Sequence, residues 1–378
     1  MWFPPPPRNQ KRFHSRYNFG YGILLFSPKI THFGGFGAFL SFDKPAILWY
    51  NANKEVNFMN KTKKRIIISL SVLLVLIVGV CAWGIVNHYQ KIAATGLHDT
   101  VPYGFGKKAT VIFLAGQSNA AGCSRDEYLQ KNVSPEQYEK YATGFENVYI
   151  NYFASATNES HGFVTSEACQ GEWGGYFGPE LGLAEKLNEA FPDQTFFIIK
   201  YAWGGTNLYE QWRSPSAGGE VGPLYNSFVE YAANSLEYLT LKGYDVSVEA
   251  MCWMQGESDS LEEQHAIDYE ENLSCFVEDI RAEFAPYASR DGIAFVDAYI
   301  ADSFFWKHYI KLNQSKQAVA DSSPINTVIN TIEHGLSVTE EPVDEPDIAH
   351  YDSLSEIKLG HLFAEQCISF FDPFGHRR

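Results

Sequence analysis

The sequence predicts an α/β fold of three layers, a central parallel sheet between two layers of helices, preceded by one transmembrane helix. After residue 109, strand-like apolar runs alternate with helical segments, and parallel strands require such crossover connections. The longer loops mostly follow strand ends, where open α/β sheets bind their ligands. The transmembrane helix is predicted by the charge-free run at 66–86.

Residues 1–65 form a basic N-terminal segment, with 11 Lys and Arg against 2 Asp and Glu. The part ahead of Met59 fits either a cytoplasmic tail or a wrongly extended start, because a basic cluster follows Met59 directly. Residues 66–378 carry 18 Lys and Arg against 43 Asp and Glu. So acidic a body repels phosphate backbones, which argues against nucleic acid as a partner.

The run 66–86 is interpreted as a membrane anchor. A helix of this length is about 30 Å long, which matches one hydrocarbon core. The preceding cluster of Lys61, Lys63, Lys64 and Arg65 would keep the N-terminal side in the cytoplasm and place the rest of the chain outside. A cleaved secretory signal, giving a secreted protein, is the alternative; the run is longer than a usual signal core and no A-x-A site follows it.

A polar, glycine-containing linker is expected at 87–108 and the α/β domain at 109–374. Its predicted strands are 110–115, 146–152, 195–201, 247–253 and 293–297, and its predicted helices are 179–190, 223–241, 261–284, 306–320 and 353–371. Long loops are expected near 120–145, 154–178, 203–222 and 333–350, and the substrate site should be built from them.

The six cysteines show no C-x-x-C spacing. Cys81 lies inside the apolar run 66–86, and the other five cysteines come after that run. An odd number does not suggest a disulfide framework, and Cys252 lies in an apolar strand as a small buried residue. No cluster of histidine, cysteine and aspartate has zinc-ligand spacing. We therefore expect neither a metal nor another cofactor.

Ser118 is the candidate nucleophile. It lies in Gly116-Gln117-Ser118-Asn119, directly after the apolar run 110–115. A serine on a sharp turn after a central strand projects its hydroxyl at the carboxyl edge of the sheet. By itself the pattern is more typical of an ordinary turn serine, and only the later segments favour a nucleophile.

Asp347 and His350 are the candidate acid–base pair, three residues apart before the last predicted helix. The aspartate can accept from one imidazole nitrogen, which fixes the tautomer and leaves the other nitrogen for a serine hydroxyl. A helix-entry carboxylate beside a surface histidine is the alternative. Asp352 or Ser353 is the better placed helix cap, which frees Asp347 from that role.

Oxyanion donors are expected from two further strand ends. Gly204 and Gly205 follow 195–201 and can present a backbone N–H without a side chain in the way. Gln255 ends the next strand and offers a side-chain amide. A Gly-Gly turn and a glutamine that holds a loop are the respective structural alternatives.

Two other groups of residues admit a second interpretation. Glu257 and Asp259 are an acidic pair of the kind that glycosidases use, although Glu257 supporting the loop leaves fewer segments unexplained. Four tryptophans lie in or beside these loops and fit either sugar stacking or core packing: Trp173, Trp203, Trp212 and Trp253.

The four segments that contain Ser118, Gly204, Gln255 and His350, in this order, resemble motifs of the SGNH hydrolase superfamily. They resemble more closely those of its carbohydrate esterase 6 and sialate O-acetylesterase-like branch. Its motifs G-Q-S-N, G-G-x-x-L, W-x-Q-G-E and D-x-x-H are matched by 116–119, 204–208, 253–257 and 347–350. The segment 177–182, Phe-Gly-Pro-Glu-Leu-Gly, is similar to the family's helix start. The resemblance covers about 109–371. Ala120 departs from it, since the family usually has methionine there.

The resemblance implies an SGNH or flavodoxin-like fold with Ser118 as nucleophile, His350 as general base and Asp347 as its orienting acid. The oxyanion hole would consist of the Ser118 and Gly205 N–H groups and the Gln255 amide, although the wider superfamily has asparagine in that block. Supporting or substrate-contacting roles are expected for Gln117, Asn119, Gly204, Trp253 and Glu257.

The expected activity is that of a serine esterase that removes O-acetyl groups from a carbohydrate through an acetyl-enzyme, without a cofactor. The carbohydrate would be acetylated xylan, sialic acid or a related glycan. Two alternatives stay open: a noncatalytic carbohydrate-binding surface protein with the same fold, and a lipid or thioester hydrolase with the same triad.

Overall fold

A computed structural model of the chain describes residues 60–371. The interpretations of the N-terminal segment up to residue 59, including the start at Met59, and of residues 372–374 lie outside these residues. The chain divides into two compact units, Met1–Trp83 and Gly84–Arg378, and each is considered separately.

The first helix, α1 (Lys61–Ala94), contains the predicted span 66–86 and is long and apolar enough to cross a membrane. It begins where the Asn60 side chain accepts from the backbone N–H of Thr62 at 2.7 Å. It continues past residue 86, and Ile92 in its last turn is buried in the core of the second unit. Residues 87–94 of the expected linker 87–108 are therefore helical, and Ile92 belongs to the apolar core of the second unit.

The second unit alternates short strands and helices. The strands are β1 (Lys108–Gly116), β2 (Ser124–Arg125), β3 (Phe145–Ala154), β4 (Asn158–Glu159), β5 (Val164–Ser166), β6 (Tyr176–Phe177), β7 (Phe196–Ala202), β8 (Asp245–Met254), β9 (Ala294–Ala298) and β10 (Asn326–Ile329). The remaining helices are α2 (Ser118–Ala121), α3 (Asp126–Asn132), α4 (Pro135–Thr143), α5 (Glu180–Ala190), α6 (Pro223–Leu241), α7 (Glu263–Glu283), α8 (Tyr309–Asp321) and α9 (Ser353–Phe370).

The main sheet has the strand order β10-β9-β8-β1-β7-β3-β4, and β5 also pairs with β3. The six strands from β10 to β3 are parallel to their neighbours, whereas β4 and β5 are antiparallel to β3. Residues 109–116 of β1 and all of β7 are buried, as expected for central strands covered on both faces. The predicted three-layer α/β fold is confirmed.

The five predicted strands correspond to β1, β3, β7, β8 and β9, and the predicted helices correspond to α5 through α9. The expectation of a loop over 120–145 is wrong, because α3 and α4 occupy most of it. Their start signals are local: Ser134 caps α4 by accepting from Gln137 N–H at 3.2 Å, with Pro135 as the first helical residue. The short strands β2, β4, β5, β6 and β10 were also not predicted.

The register of the sheet brings three candidate segments to one edge. Gly116, the last residue of β1, is level with Ala202 of β7 and Met254 of β8. Ser118, Gly204 and Gln255 each follow one of these strand ends by one or two residues. The carboxyl ends of β7, β1 and β8 therefore build one site.

Candidate active site

The turn that carries Ser118 depends on a close approach between two strand ends. Gly116 has φ +144°, and a Cβ there would lie 1.9 Å from the carbonyl oxygen of Met254. That carbonyl accepts from the backbone N–H of Gln117 at 2.9 Å. Only glycine fits at 116, and the chain then turns so that Ser118 opens α2 with 9% of its surface exposed.

His350 and Asp347 form a direct pair in the turn before α9. The Nδ1 atom of His350 lies 2.7 Å from Oδ2 of Asp347, whose other oxygen accepts from the backbone N–H of Ala349 at 3.2 Å. The hydrogen bond to His350 lowers the pKa of Asp347. An ionised carboxylate only accepts, so Nδ1 carries the proton and Nε2 is left as the basic nitrogen.

Asn119 links the serine turn to the histidine turn. Its Oδ1 accepts from the N–H of Tyr351 at 3.1 Å, and its Nδ2 donates to the carbonyl of Ala349 at 3.3 Å. The residues on both sides of His350 are thus bound by the residue that follows Ser118. Although 232 positions separate Asn119 from Tyr351, their hydrogen bond fixes the two turns against each other.

The two acidic residues after β8 accept internal hydrogen bonds, although Oε2 of Glu257 is buried without a partner among the described residues. Oε1 of Glu257 accepts from Nδ2 of Asn119 at 2.7 Å, and burial raises the pKa of Glu257. Asp259 accepts from the backbone N–H groups of Leu208 and Tyr209 at 2.9 and 3.1 Å. Burial raises its pKa to about 6. Both carboxylates hold loops together, which disfavours the glycosidase interpretation.

Gly204 and Gly205 lie in the turn after β7, which is joined to the serine turn by the hydrogen bond from Trp203 N–H to the Gly116 carbonyl at 3.1 Å. The N–H of Gly204 donates to Oγ of Ser155 at 2.8 Å. Gly205 has φ +69°, and a Cβ there would meet no atom within 4 Å. Within the described residues, no acceptor binds the N–H of Gly205, so this donor is available to a ligand.

Gln255 is fully buried, and its amide is surrounded by partners. Its Nε2 lies 2.6 Å from Oδ2 of Asp259, 3.0 Å from the carbonyl of Thr206 and 3.1 Å from Oε1 of Gln117. Three acceptors around one nitrogen fix the orientation of the amide and engage both of its hydrogens. In this structure Gln255 joins three loops and offers no free donor to an oxyanion.

Gln117, which accepts from the Gln255 amide, also supports a loop. Its Oε1 also accepts from the N–H groups of Gly256 at 3.3 Å and Ser258 at 3.2 Å. The side chain next to Ser118 therefore holds the loop after β8, which agrees with the expected supporting function.

The tryptophans separate into core and surface residues. Trp253 and Trp212 are fully buried, with ring centroids 5.2 Å apart, so neither can stack on a sugar. Trp203 packs against Phe153. Trp173 is 45% exposed and is the most exposed of the four.

A cleft lies beside the histidine–aspartate pair. Residues of the segment after α2 and of the turn before α9 line it, together with an aromatic pair from the loop ahead of α5: Cys123, Ser124, Arg125, Tyr128, Trp173, Tyr176, Glu341, Pro342, Asp347, His350 and Tyr351. Sequence reasoning missed Arg125, Tyr128 and Tyr176, because no motif contains them. Their positions in the predicted loops 120–145 and 154–178 were the only signal.

The structure places a serine turn at the end of the central strand of a three-layer α/β fold. The family model for "Carbohydrate esterase, sialic acid-specific acetylesterase" matches residues 108–369, and the chain belongs to this family. It is therefore a carboxylic ester hydrolase. No sequence among the curated proteins matches the chain.

Two solved structures, with TM-scores of 0.50 or above, share the fold at low sequence identity. A protein from Arabidopsis thaliana is 17% identical with a TM-score of 0.51, and the match covers 70% of this chain and 99% of that chain. NanS is 15% identical with a TM-score of 0.50, covering 72% and 99%. A variant of Axe2, an acetyl xylan esterase from Geobacillus stearothermophilus, is 11% identical with a TM-score of 0.39, covering 71% and 98%.

Proposed function

We propose that the protein is a serine esterase that removes O-acetyl groups from a carbohydrate through an acetyl-enzyme. The observation that carries this proposal is the oriented base: His350 is paired with Asp347 at 2.7 Å, and both of its neighbours are bound by Asn119, next to Ser118. Family membership supplies the reaction class.

In the proposed reaction Ser118 Oγ attacks the acetyl carbonyl while Nε2 of His350 takes its proton. The protonated imidazole, stabilised by Asp347, then returns the proton to the departing sugar oxygen. Water attacks the acetyl-enzyme in the second half, with His350 again acting as base. Acetate leaves and Ser118 is regenerated.

The oxyanion of each tetrahedral intermediate needs donors that are already in place. We assign this role to the backbone N–H groups of Ser118 and Gly205. The first belongs to the first residue of α2 and has no intrahelical acceptor, and the second is free among the described residues. Gln255, the third expected donor, is assigned to loop support because its amide is engaged.

The length and apolar composition of helix α1 support attachment of the enzyme to a membrane. We propose that residues 66–86 are an uncleaved anchor and that the basic residues 61–65 stay in the cytoplasm, which puts the esterase unit outside. An acetylated glycan outside the cell is then its substrate class.

Acetate release from a panel of glycans tests the proposal. Wild-type enzyme and the Ser118→Ala variant are incubated with acetylated xylan and with O-acetylated sialic acid, and acetate is measured. Release by wild type alone supports the proposal. Binding of a glycan without any release would instead indicate a noncatalytic protein. A parallel series of 4-nitrophenyl esters should favour acetate over longer chains, and the reverse order would indicate a lipid substrate.

A further inference from the structure

One basic side chain lines the cleft beside the catalytic pair. Arg125 is seven residues after Ser118 and is the second residue of β2. It pairs with Tyr176 of β6 in the antiparallel β2–β6 ladder. This pairing places Arg125 in the wall that also contains Asp347 and His350. Arg125 and Tyr176 also line a second depression. The backbone pairing thus places the guanidinium in the same cleft as Asp347 and His350.

The charge of Arg125 is only weakly engaged within residues 60–371. Its Nη1 lies 3.7 Å from Oε1 of Glu127, and the two side chains are 43% and 57% exposed. Glu127 is shared with Lys131, also at 3.7 Å. Ion pairs this long and this exposed contribute little. A ligand carboxylate can therefore displace Glu127 at low cost.

The acidic groups of the cleft, by contrast, are already satisfied. Glu341 accepts from the N–H and Oγ of Ser353 at 2.8 Å each and from Asn132 at 2.7 Å. Both oxygens of Asp347 are occupied by His350 and by the N–H of Ala349. The cleft therefore offers a ligand one uncommitted cation and no uncommitted carboxylate among its lining residues.

An aromatic pair adjoins this cation. Trp173 is 45% exposed, and its ring meets that of Tyr176 edge-on with centroids 5.3 Å apart. Cζ of Arg125 is 5.9 Å from the centroid of the Tyr176 ring, near the limit of a cation–π contact. An exposed indole suits the apolar face of a sugar ring. The cleft thus combines a stacking surface with a forked donor.

We propose that Arg125 binds the carboxylate of an O-acetylated acidic sugar whose ring packs on Trp173 while its ester reaches Ser118. The inference rests on the proposed esterase function and adds the determinant of substrate charge. A guanidinium can bind a carboxylate with two parallel hydrogen bonds, which a lysine cannot reproduce. Arg125 makes the enzyme selective for acidic over neutral acetylated sugars.

The test compares one sugar in two charge states. O-acetylated N-acetylneuraminic acid and its C1 carboxamide differ only in the negative charge, and kcat/KM is measured for both. Wild type should prefer the acid by about 10–100-fold, as expected for one charge-assisted contact. Arg125→Met should abolish the preference through KM for the acid, and Arg125→Lys should restore it only in part. The control Lys131→Met removes a nearby charge outside the cleft and should retain the preference.

Three outcomes would contradict the proposal. Equal kcat/KM for acid and carboxamide in wild type would show that the charge is not recognised, and an unchanged preference in Arg125→Met would assign it elsewhere. An equal fall on both sugars would mean that Arg125 acts through Asp347, since it contributes, after the His350 hydrogen bond, to the low pKa of that residue. Wild type that cleaves neither sugar nor 4-nitrophenyl acetate would refute the esterase function itself.

Discussion

Nδ2 of Asn119 donates to Oε1 of Glu257 at 2.7 Å, deep beneath the turn that carries His350. Glu257 is 1% exposed, so the bond is shielded from water. Through this hydrogen bond, Glu257 in the loop after β8 holds the side-chain amide of Asn119. The same amide binds Ala349 and Tyr351, the two neighbours of His350. The orientation of His350, the proposed general base, therefore depends on a side chain that need not touch the substrate.

Asn119→Ala should lower kcat by about 10–100-fold with little change in KM, because a small displacement of His350 is enough to slow proton transfer. Steady-state kinetics with 4-nitrophenyl acetate measures the effect. Asn147→Ala is the matched control, since Asn147 Nδ2 also donates to backbone carbonyls, those of Phe191 and Gln194 at 3.0 and 2.8 Å, near the start of β3. Equal kcat in the two folded variants would show that Asn119 only stabilises the fold.

Gln255→Ala should reduce stability more than chemistry. The change removes the side-chain donor to the buried Thr206 carbonyl, at about 1–3 kcal/mol for one unsatisfied group. It also removes one of several donors to Asp259 and to Gln117, which keep their backbone N–H partners. A melt should show a lowered Tm, and kcat of the remaining folded enzyme should stay within a few-fold of wild type. An unchanged Tm combined with a loss of about 10²–10³ in kcat would instead identify Gln255 as an oxyanion donor.

Glu356 predicts a pH-dependent stability. Both carboxylate oxygens are buried without a hydrogen-bond partner in the described chain. Burial, and then the charge of Glu180, raise its pKa well above the ordinary 4.5, against the opposing effect of Lys200. The neutral form is thus favoured by folding, so the stabilisation is complete below pH 4.5 and declines as the pH rises through the folded-state pKa.

Between about pH 5 and the folded-state pKa of Glu356, this one group should lower the free energy of unfolding by roughly 1.4 kcal/mol per pH unit. Glu356→Gln keeps the shape of the neutral form and should flatten the slope and raise Tm at pH 8. Denaturant unfolding at a series of pH values measures this. Glu365→Gln, an exposed position of the same helix, should leave the slope as it is. A wild-type slope in Glu356→Gln would contradict the assignment.

The anchor predicts that the intact protein pellets with membranes and resists extraction by high salt, which removes only electrostatic attachment. A chain starting at residue 87 should be soluble and active, because it keeps Ile92 and Val101, both buried in the second unit. A chain starting at Gly96 lacks Ile92 and should melt earlier. A native N-terminus after residue 86, found in the medium, would show a cleaved signal.

The fold could be predicted from the sequence because its central strands are short apolar runs that end at glycine or at a polar motif. The strand β10 was missed because Asn326 and Thr327 interrupt its apolar pattern. The role of Gln255 could not be predicted, since its partners come from three segments that only the folded chain brings together. Arg125 could be placed only in a predicted loop, 120–145, for the same reason: the cleft that it lines also contains residues more than 200 positions away.

The turnover of Ser118→Ala tests the central claim most directly. Ser118 Oγ is the attacking atom in the proposed mechanism, so its removal should lower kcat for 4-nitrophenyl acetate by about 10⁴-fold or more. The side chain makes no hydrogen bond within the described residues, and Tm should therefore remain close to that of wild type. An Ser118→Ala enzyme that is folded and turns over the ester within tenfold of the wild-type rate would contradict the account.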